Sequence, residues 1–160
     1  LEDLKFVVSK MLKFIRTDSQ DKDFQELVRL LDEDLSVRDG ADHAFYAQFN
    51  KIDAIKNAIV AYHAERAVGC GAFKEFDANS VEIKRMFVPA EDRGKGVAAE
   101  ILKELEKWAS ELNFQFAVLE TGHKQPEAIR LYQKSGYQLI PNYGQYEGVE
   151  NSVCMRKALK

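Results

Sequence analysis

The stretch 80-SVEIKRMFVPAEDRGKGVAAEILKELEKWA-109 decides the fold. Val81 to Val88 alternates with the period of a strand. Val81, Ile83 and Arg85 fall on one side and Glu82, Lys84, Met86 and Val88 on the other, unless a bulge intervenes. Pro89 has no amide hydrogen and ends the run. From Val97 the period becomes helical, to about Leu112, with Ile101, Leu102, Leu105, Trp108 and Ala109 inward. Between strand and helix lie Arg93, Gly94, Lys95 and Gly96. The first amides of a helix have no intrahelical acceptor, and glycines allow backbone paths closed to other residues. Arg93 and Lys95 add positive charge, and Ala98 and Ala99 keep the first turn small. The combination reads as an anion nest suited to a diphosphate; a solvated basic turn is the blander reading.

Upstream, Leu12 to Arg16 reads as a strand with Leu12, Phe14 and Arg16 on one side. A helix capped by Asp18 or Ser19 follows, its apolar positions Phe24, Leu27, Val28, Leu31 and Leu35, and Gly40 breaks it. A weaker helix covers Ala44 to Phe49. Ile55 to His63 carries a strand, turned at Glu65-Arg66 into 67-AVGCGAFKEF-76, whose small residues call for close approach by another element. Asp77-Ala78-Asn79 makes the next turn.

Downstream, Phe114 to Leu119 is an apolar strand buried on both faces. Pro126 opens a helix that Gly136 stops. Tyr137 to Ile140 and Ser152 to Arg156 are short strands, with a loop over Pro141 to Asn151. Short turns make the central three strands an antiparallel meander, and the strand-helix-strand passage from Val81 to Leu119 gives one parallel pair. The fold class is α/β: a single-domain mixed, mostly antiparallel sheet with helices on both faces.

The 160 residues suit one core, and apolar and charged shares of 46% and 31% are those of an ordinary globular chain. A net charge of -3 argues against general nucleic-acid binding. No apolar run approaches a membrane span and no signal peptide is visible, so the expected location is cytoplasmic. Cys70 and Cys154 read as buried fillers in a reducing compartment. His43, His63 and His123 lack metal-ligand spacing, so no metal site is expected. Met11 reads as a natural opening, which makes residues 1–10 an N-terminal extension, non-native in one reading, with a short helix through Leu4, Val7, Val8 and Met11 if folded.

The anion loop fits neither common nucleotide motif. A P-loop needs GxxxxGK followed by Ser or Thr, which 89-PAEDRGKGVA-98 lacks. A dinucleotide site wants GxGxxG early in a parallel sheet, whereas this loop follows an antiparallel meander. The run 86-MFVPAEDRGKGVAAEIL-102 instead resembles the acetyl-CoA signature of the GNAT family of N-acetyltransferases, Arg/Gln-x-x-Gly-x-Gly/Ala, here Arg93, Gly94, Lys95, Gly96, Val97 and Ala98. The segment 126-PEAIRLYQKSGY-137 resembles the family's later motif, a helix carrying a tyrosine just before a Gly-Tyr and a strand. The likeness covers Leu12 to Lys157, in outline only over Asp18 to Asn57.

The resemblance implies an acyl-CoA N-acyltransferase fold over residues 11–160, with acetyl-CoA as acyl donor and no metal. It implies that backbone groups of Met86, Phe87 and Val88 hold the pantetheine arm, and that the loop from Arg93 to Ala98 wraps the pyrophosphate. The thioester would lie where the strands ending near Val88 and beginning near Phe116 splay apart. Many members carry Asn where this chain has Gln125, whose longer amide takes on that contact here.

Acyl transfer to an amine needs a base, a donor for the carbonyl oxygen and a proton for the leaving thiolate. The resemblance places Tyr132 near the sulfur as the acid, against a packing role on the face it shares with Ala128, Leu131 and Ser135. It places Glu82 as the base through water, against an exposed carboxylate paired with Lys84. Arg38, Asp39 and His43 would wall one side of the acceptor site, and Tyr143 and Tyr146 the other. The expected activity is direct transfer of an acetyl group to a primary amine of a small molecule or a protein. The alternatives are transfer of a longer acyl group, a non-catalytic CoA-binding or sensing domain, and a protein-interaction module. A homodimer is the default assembly.

Overall fold

The computed structural model describes residues 11–47 and 55–159. The expected helix through Leu4 and Val8, and the end of the second helix at Phe49, lie outside the described residues. The strands are β1 (Leu12–Thr17), β2 (Asn57–His63), β3 (Arg66–Asp77), β4 (Ser80–Phe87), β5 (Phe116–Gly122), β6 (Gln138–Ile140) and β7 (Ser152–Ala158). The helices are α1 (Lys22–Asp39), α2 (His43–Ala47), α3 (Val97–Glu111) and α4 (Pro126–Lys134). The strands form one sheet in the order β1-β2-β3-β4-β5-β7-β6. β4 and β5 are parallel, joined through α3, while the other pairs are antiparallel. This is the mixed sheet that the alternation of strand and helix patterns implies. Among the described residues no helix is long and apolar enough to cross a membrane.

Each face of the sheet has its own core. On one side Ile101, Leu102, Leu105 and Ala109 of α3 pack on Ile59, Phe73, Val81 and Ile83. On the other, Phe24, Leu27, Val28 and Leu31 of α1 cover Ala58, Val60, Cys70 and Ala72. The small residues of β3 let α3 lie close. A Cβ on Gly69 would meet Ile101 Cδ1 at 2.8 Å, and one on Gly71 would meet Leu105 Cδ1 at 2.8 Å.

Helix α1 starts later than its cap residues suggest. Asp21, not Asp18 or Ser19, is the N-cap, accepting the Phe24 amide at 2.9 Å. Asp18 instead accepts the Gln20 amide, and the Ser19 amide donates to the Ile55 carbonyl, so both residues are spent on the turn before the helix. The turn between β2 and β3 sits at Ala64-Glu65, with Ala64 at φ 57°, and Arg66 already belongs to β3.

The bulge allowed for in β4 is present and changes its faces. Ala72 pairs with Lys84 and Cys70 with Phe87, two steps on β3 against three on β4. The extra residue is accommodated around Arg85, at φ 61°. Arg85 therefore does not share a face with Val81 and Ile83. It lies on the α1 side, its Nη1 donating to Asp32 Oδ1 at 3.0 Å. Met86 and Val88 move to the α3 side, away from Glu82 and Lys84.

Strand β5 also differs from expectation: it begins at Phe116 and continues through Glu120, Thr121 and Gly122. Antiparallel pairing with β7 holds those three residues extended. The β4–β5 pairing covers only Ser80 to Glu82 against Phe116 to Val118. Beyond that point the two strands separate, and the functional cavities open there.

Candidate active site

A cleft of about 340 Å³ lies over the N-terminus of α3. Gly94 and Gly96 adopt φ 79° and 84°, a region other residues enter only with strain, and Gly96 is the helix N-cap. A side-chain cap is absent at Gly96, so the first-turn amides of Val97, Ala98 and Ala99 face the cleft without an intrahelical acceptor. Asp92 anchors the loop to β3: it is buried and accepts both terminal nitrogens of Arg66 at 2.8 Å.

Met86, Phe87, Val88, Arg93, Gly94, Gly96, Val97, Ala98 and Gln125 all line this cleft. Two details are new. Arg93 Nε donates to the Val88 carbonyl at 2.7 Å, so its guanidinium is fastened across the strand end. Lys95 lines a separate recess with Leu12, His63 and Arg66 on the other side of the loop, which removes its ammonium from the cleft wall.

A second cavity, of about 120 Å³, lies beside the first where β4 and β5 part. Leu31, Met86, Gln125, Ala128 and Tyr132 line both, so the two spaces meet at these side chains. Tyr132 is buried and packs edge-on against Tyr137, with ring centroids 5.8 Å apart. Burial first, and then the Glu120 carboxylate, push its phenol above the ordinary tyrosine range, so it keeps its proton.

The second cavity is rich in ionisable groups. Asp39, Glu82 and Glu120 line it, as do Lys84 and Arg85. Glu82 accepts the Tyr143 hydroxyl at 2.7 Å and lies 3.8 Å from Lys84 Nζ, so it is a half-buried, engaged carboxylate and not an exposed one. Glu120 is raised to about 7, because its burial outweighs the Ser152 hydrogen bond and the Lys84 charge. A chain of donors leads to it: Asn151 Nδ2 donates to the Tyr46 hydroxyl at 3.3 Å, Tyr46 and Ser152 are bonded at 2.9 Å, and Ser152 bonds the carboxylate.

The expected acceptor walls divide. Asp39 and Tyr146 line the second cavity, whereas Arg38 borders the cofactor-sized cleft, where it pairs with Asp34 and Glu127. Tyr143 acts on the cavity through Glu82. Glu120 and Arg85 escaped the sequence reading. A carboxylate at the end of 116-FAVLETG-122 signals a site only if the strand continues past Leu119, and Arg85 reads as a face-alternating residue unless the bulge is placed. Cys70 and Cys154 are free and buried, and burial holds Cys154 up at about 11, out of the nucleophilic range. Among the described residues no group of three His, Cys, Asp or Glu side chains is placed to hold a metal ion.

Comparison with known proteins identifies the family and the fold. The model of the acetyltransferase (GNAT) family matches residues 24–137. YsnE, an uncharacterised N-acetyltransferase of Bacillus subtilis (strain 168), is 35% identical over 101 residues, which are 62% of this chain and 67% of that protein. The proposed acyl-CoA N-acyltransferase of Klebsiella pneumoniae superposes with a TM-score of 0.79 at 26% identity, over 94% of this chain and 99% of that one. A GNAT family acetyltransferase from Elizabethkingia anophelis, determined with acetyl-CoA bound, shares the fold at a TM-score of 0.67 and 16% identity, over 92% and 98% of the two chains.

Proposed function

This chain belongs to the GNAT family of acetyltransferases, and from that premise we propose that it moves the acetyl group of acetyl-CoA directly onto a primary amine. One observation carries the reading. A cleft built on an anion-binding helix terminus and a polar cavity meet at Tyr132 and Gln125, where β4 and β5 part. The residues present suit a coenzyme A diphosphate: two positive-φ glycines, open space where their Cβ atoms would be, and the first-turn amides of a 15-residue helix. Met86 to Val88 edge the path from that loop to the cavity, where the pantetheine would run.

The roles follow from position. The amine attacks the thioester carbonyl carbon; the C–N bond forms, the C–S bond breaks and the amine gives up a proton. The Glu82–Glu120 carboxylates line the space where the amine would stand. Glu120, poised near neutrality, is the better proton acceptor of the two. Tyr132, held protonated, gives its proton to the departing thiolate and is reprotonated from solvent. Gln125, at the mouth shared by both spaces, holds the pantetheine amide.

Calorimetric titration with acetyl-CoA, CoA and NADH tests the donor half. Selective binding of the two CoA compounds is expected, and equal binding of NADH, or no binding, would overturn the site. Thiol release from acetyl-CoA on addition of amines tests transfer.

A further inference from the structure

Arg85 is the anomaly of the second cavity. Its side chain is 2% exposed, yet Nη1 alone has a partner, the half-exposed Asp32 at 3.0 Å. Nε and Nη2 are buried and have no hydrogen-bond partner among the described residues. These two nitrogens form one edge of the guanidinium plane, the fork that donates to both oxygens of a carboxylate. Buried donors are nearly always satisfied in folded proteins, and an arginine keeps its charge when buried. The backbone is unusual at the same residue. Arg85 sits at φ 61° in the β4 bulge, a conformation that a long side chain adopts rarely and that clusters at ligand sites. Without the bulge, Arg85 would project to the α3 face with Ile83; with it, the guanidinium stands on the α1 side against Asp32, and Arg85 is one of the residues lining the cavity.

We propose that the Nε–Nη2 edge of Arg85 binds the carboxylate of the acceptor, and that the acceptor is therefore an α-amino acid. The protein itself offers these two nitrogens no partner among the described residues, and Arg85 lines the cavity, so a ligand entering that cavity is the source of one in this proposal. The cavity that Arg85 lines joins the cofactor-sized cleft at Met86, Gln125 and Tyr132, so a small molecule held in it would stand beside the thioester. The cavity's remaining charges suit the other end of a zwitterion: Glu82, Glu120 and Asp39 favour an ammonium group and supply the base that must deprotonate it. Leu31, Leu35 and Tyr146 leave an apolar wall for the side chain. An acceptor with an amine alone, such as a polyamine, would leave the Arg85 edge unpaired.

This inference rests on the acetyltransferase reading, and its test separates the two. Thiol release from acetyl-CoA is measured with each standard amino acid and with the matching amino-acid amide, which keeps the amine and side chain and lacks the charge. The best acid should exceed its amide at least tenfold in kcat/KM. In Arg85→Gln, and less severely in Arg85→Lys, that ratio should fall towards one. Equal use of acid and amide by the unaltered protein overturns the inference without any variant, and so does a ratio that survives both substitutions. Binding of N-acetyl amino acids and their amides to the protein–CoA complex is measured alongside. If no amino acid is turned over yet the acids bind at least tenfold more tightly than the amides, the Arg85 site stands and the transferase reading falls. If neither turnover nor binding favours the acid, the Arg85 site falls.

Discussion

The Tyr143 hydroxyl donates to Glu82 Oε2 at 2.7 Å, joining the loop before β7 to the strand that frames the cavity. The ring also packs on Phe76 and Tyr146, at 4.8 and 5.9 Å between centroids. Glu82 is thus held in one orientation, and its charge keeps the phenol protonated along with burial. Tyr143→Phe preserves the ring contacts and removes the bond. A hydrogen bond to a charged group contributes roughly 1.5–3 kcal/mol. The variant should lose about that much stability and raise KM for the acceptor, while Kd for acetyl-CoA stays the same. Denaturant unfolding and steady-state kinetics measure both, and an unmoved KM would leave Glu82 without a role at the acceptor.

Tyr132→Phe removes one oxygen from a buried ring. If the phenol protonates the thiolate, kcat should fall by about 100-fold, the lower range for a general acid, with acetyl-CoA affinity within twofold. Equal turnover in both proteins would return Tyr132 to a packing role against Tyr137.

Glu120 gives two pH dependences. Its folded pKa of about 7 lies above the ordinary 4.5, so between these values the folded protein holds a proton that the unfolded chain has lost. Stability from this group is therefore full below pH 4.5, falls as pH rises through the window and is lost above 7. Glu120→Gln should stabilise the protein by about 3 kcal/mol at pH 8 and by little at pH 4.5. In catalysis the sign reverses, because the base works when ionised. The acid limb of kcat/KM should rise through pH 7 in the unaltered enzyme and flatten in Glu120→Gln. A limb that persists in Glu120→Gln would remove Glu120 as the base.

Gly96 separates conformation from space. A Cβ there meets nothing within 4 Å, so any cost of substitution comes from φ 84°. Gly96→Val should cost roughly 1–2 kcal/mol or distort the loop, and weaken acetyl-CoA binding. Gly96→Asn, which tolerates this region, should keep most of the affinity. Equal loss in both would mean that the loop needs the missing side chain and not the backbone angle.

The elements and the glycine loop before α3 could be read from residue order because they depend on local chemistry. The helical spacing of Ile101, Leu105 and Ala109, the alternation of Val81 and Ile83, and the glycines at 94 and 96 act within a few residues of themselves. Pro126 and Gly136 set the limits of α4 in the same way. The small residues at 69 and 71 signalled a close approach, and α3 supplies it.

Sequence alone thus determined the mixed sheet, the order of strands and helices along the chain, the glycine loop before α3 and the tyrosine on α4. Tertiary structure decided which charged groups share a cavity. The β4 bulge turned Arg85 from the α3 face to the α1 face, because one unpaired residue shifts the strand's two-residue period. Pairing with β7 carried β5 past Leu119 and placed Glu120 opposite Cys154, where burial raises its pKa. The Asp21 carboxylate holds the helix cap, while the Ser19 amide ties the preceding turn to the carbonyl of Ile55, a partner more than thirty residues away. Strand register, burial and long-range hydrogen bonds arise between segments distant in the chain, so no single stretch of residues encodes them.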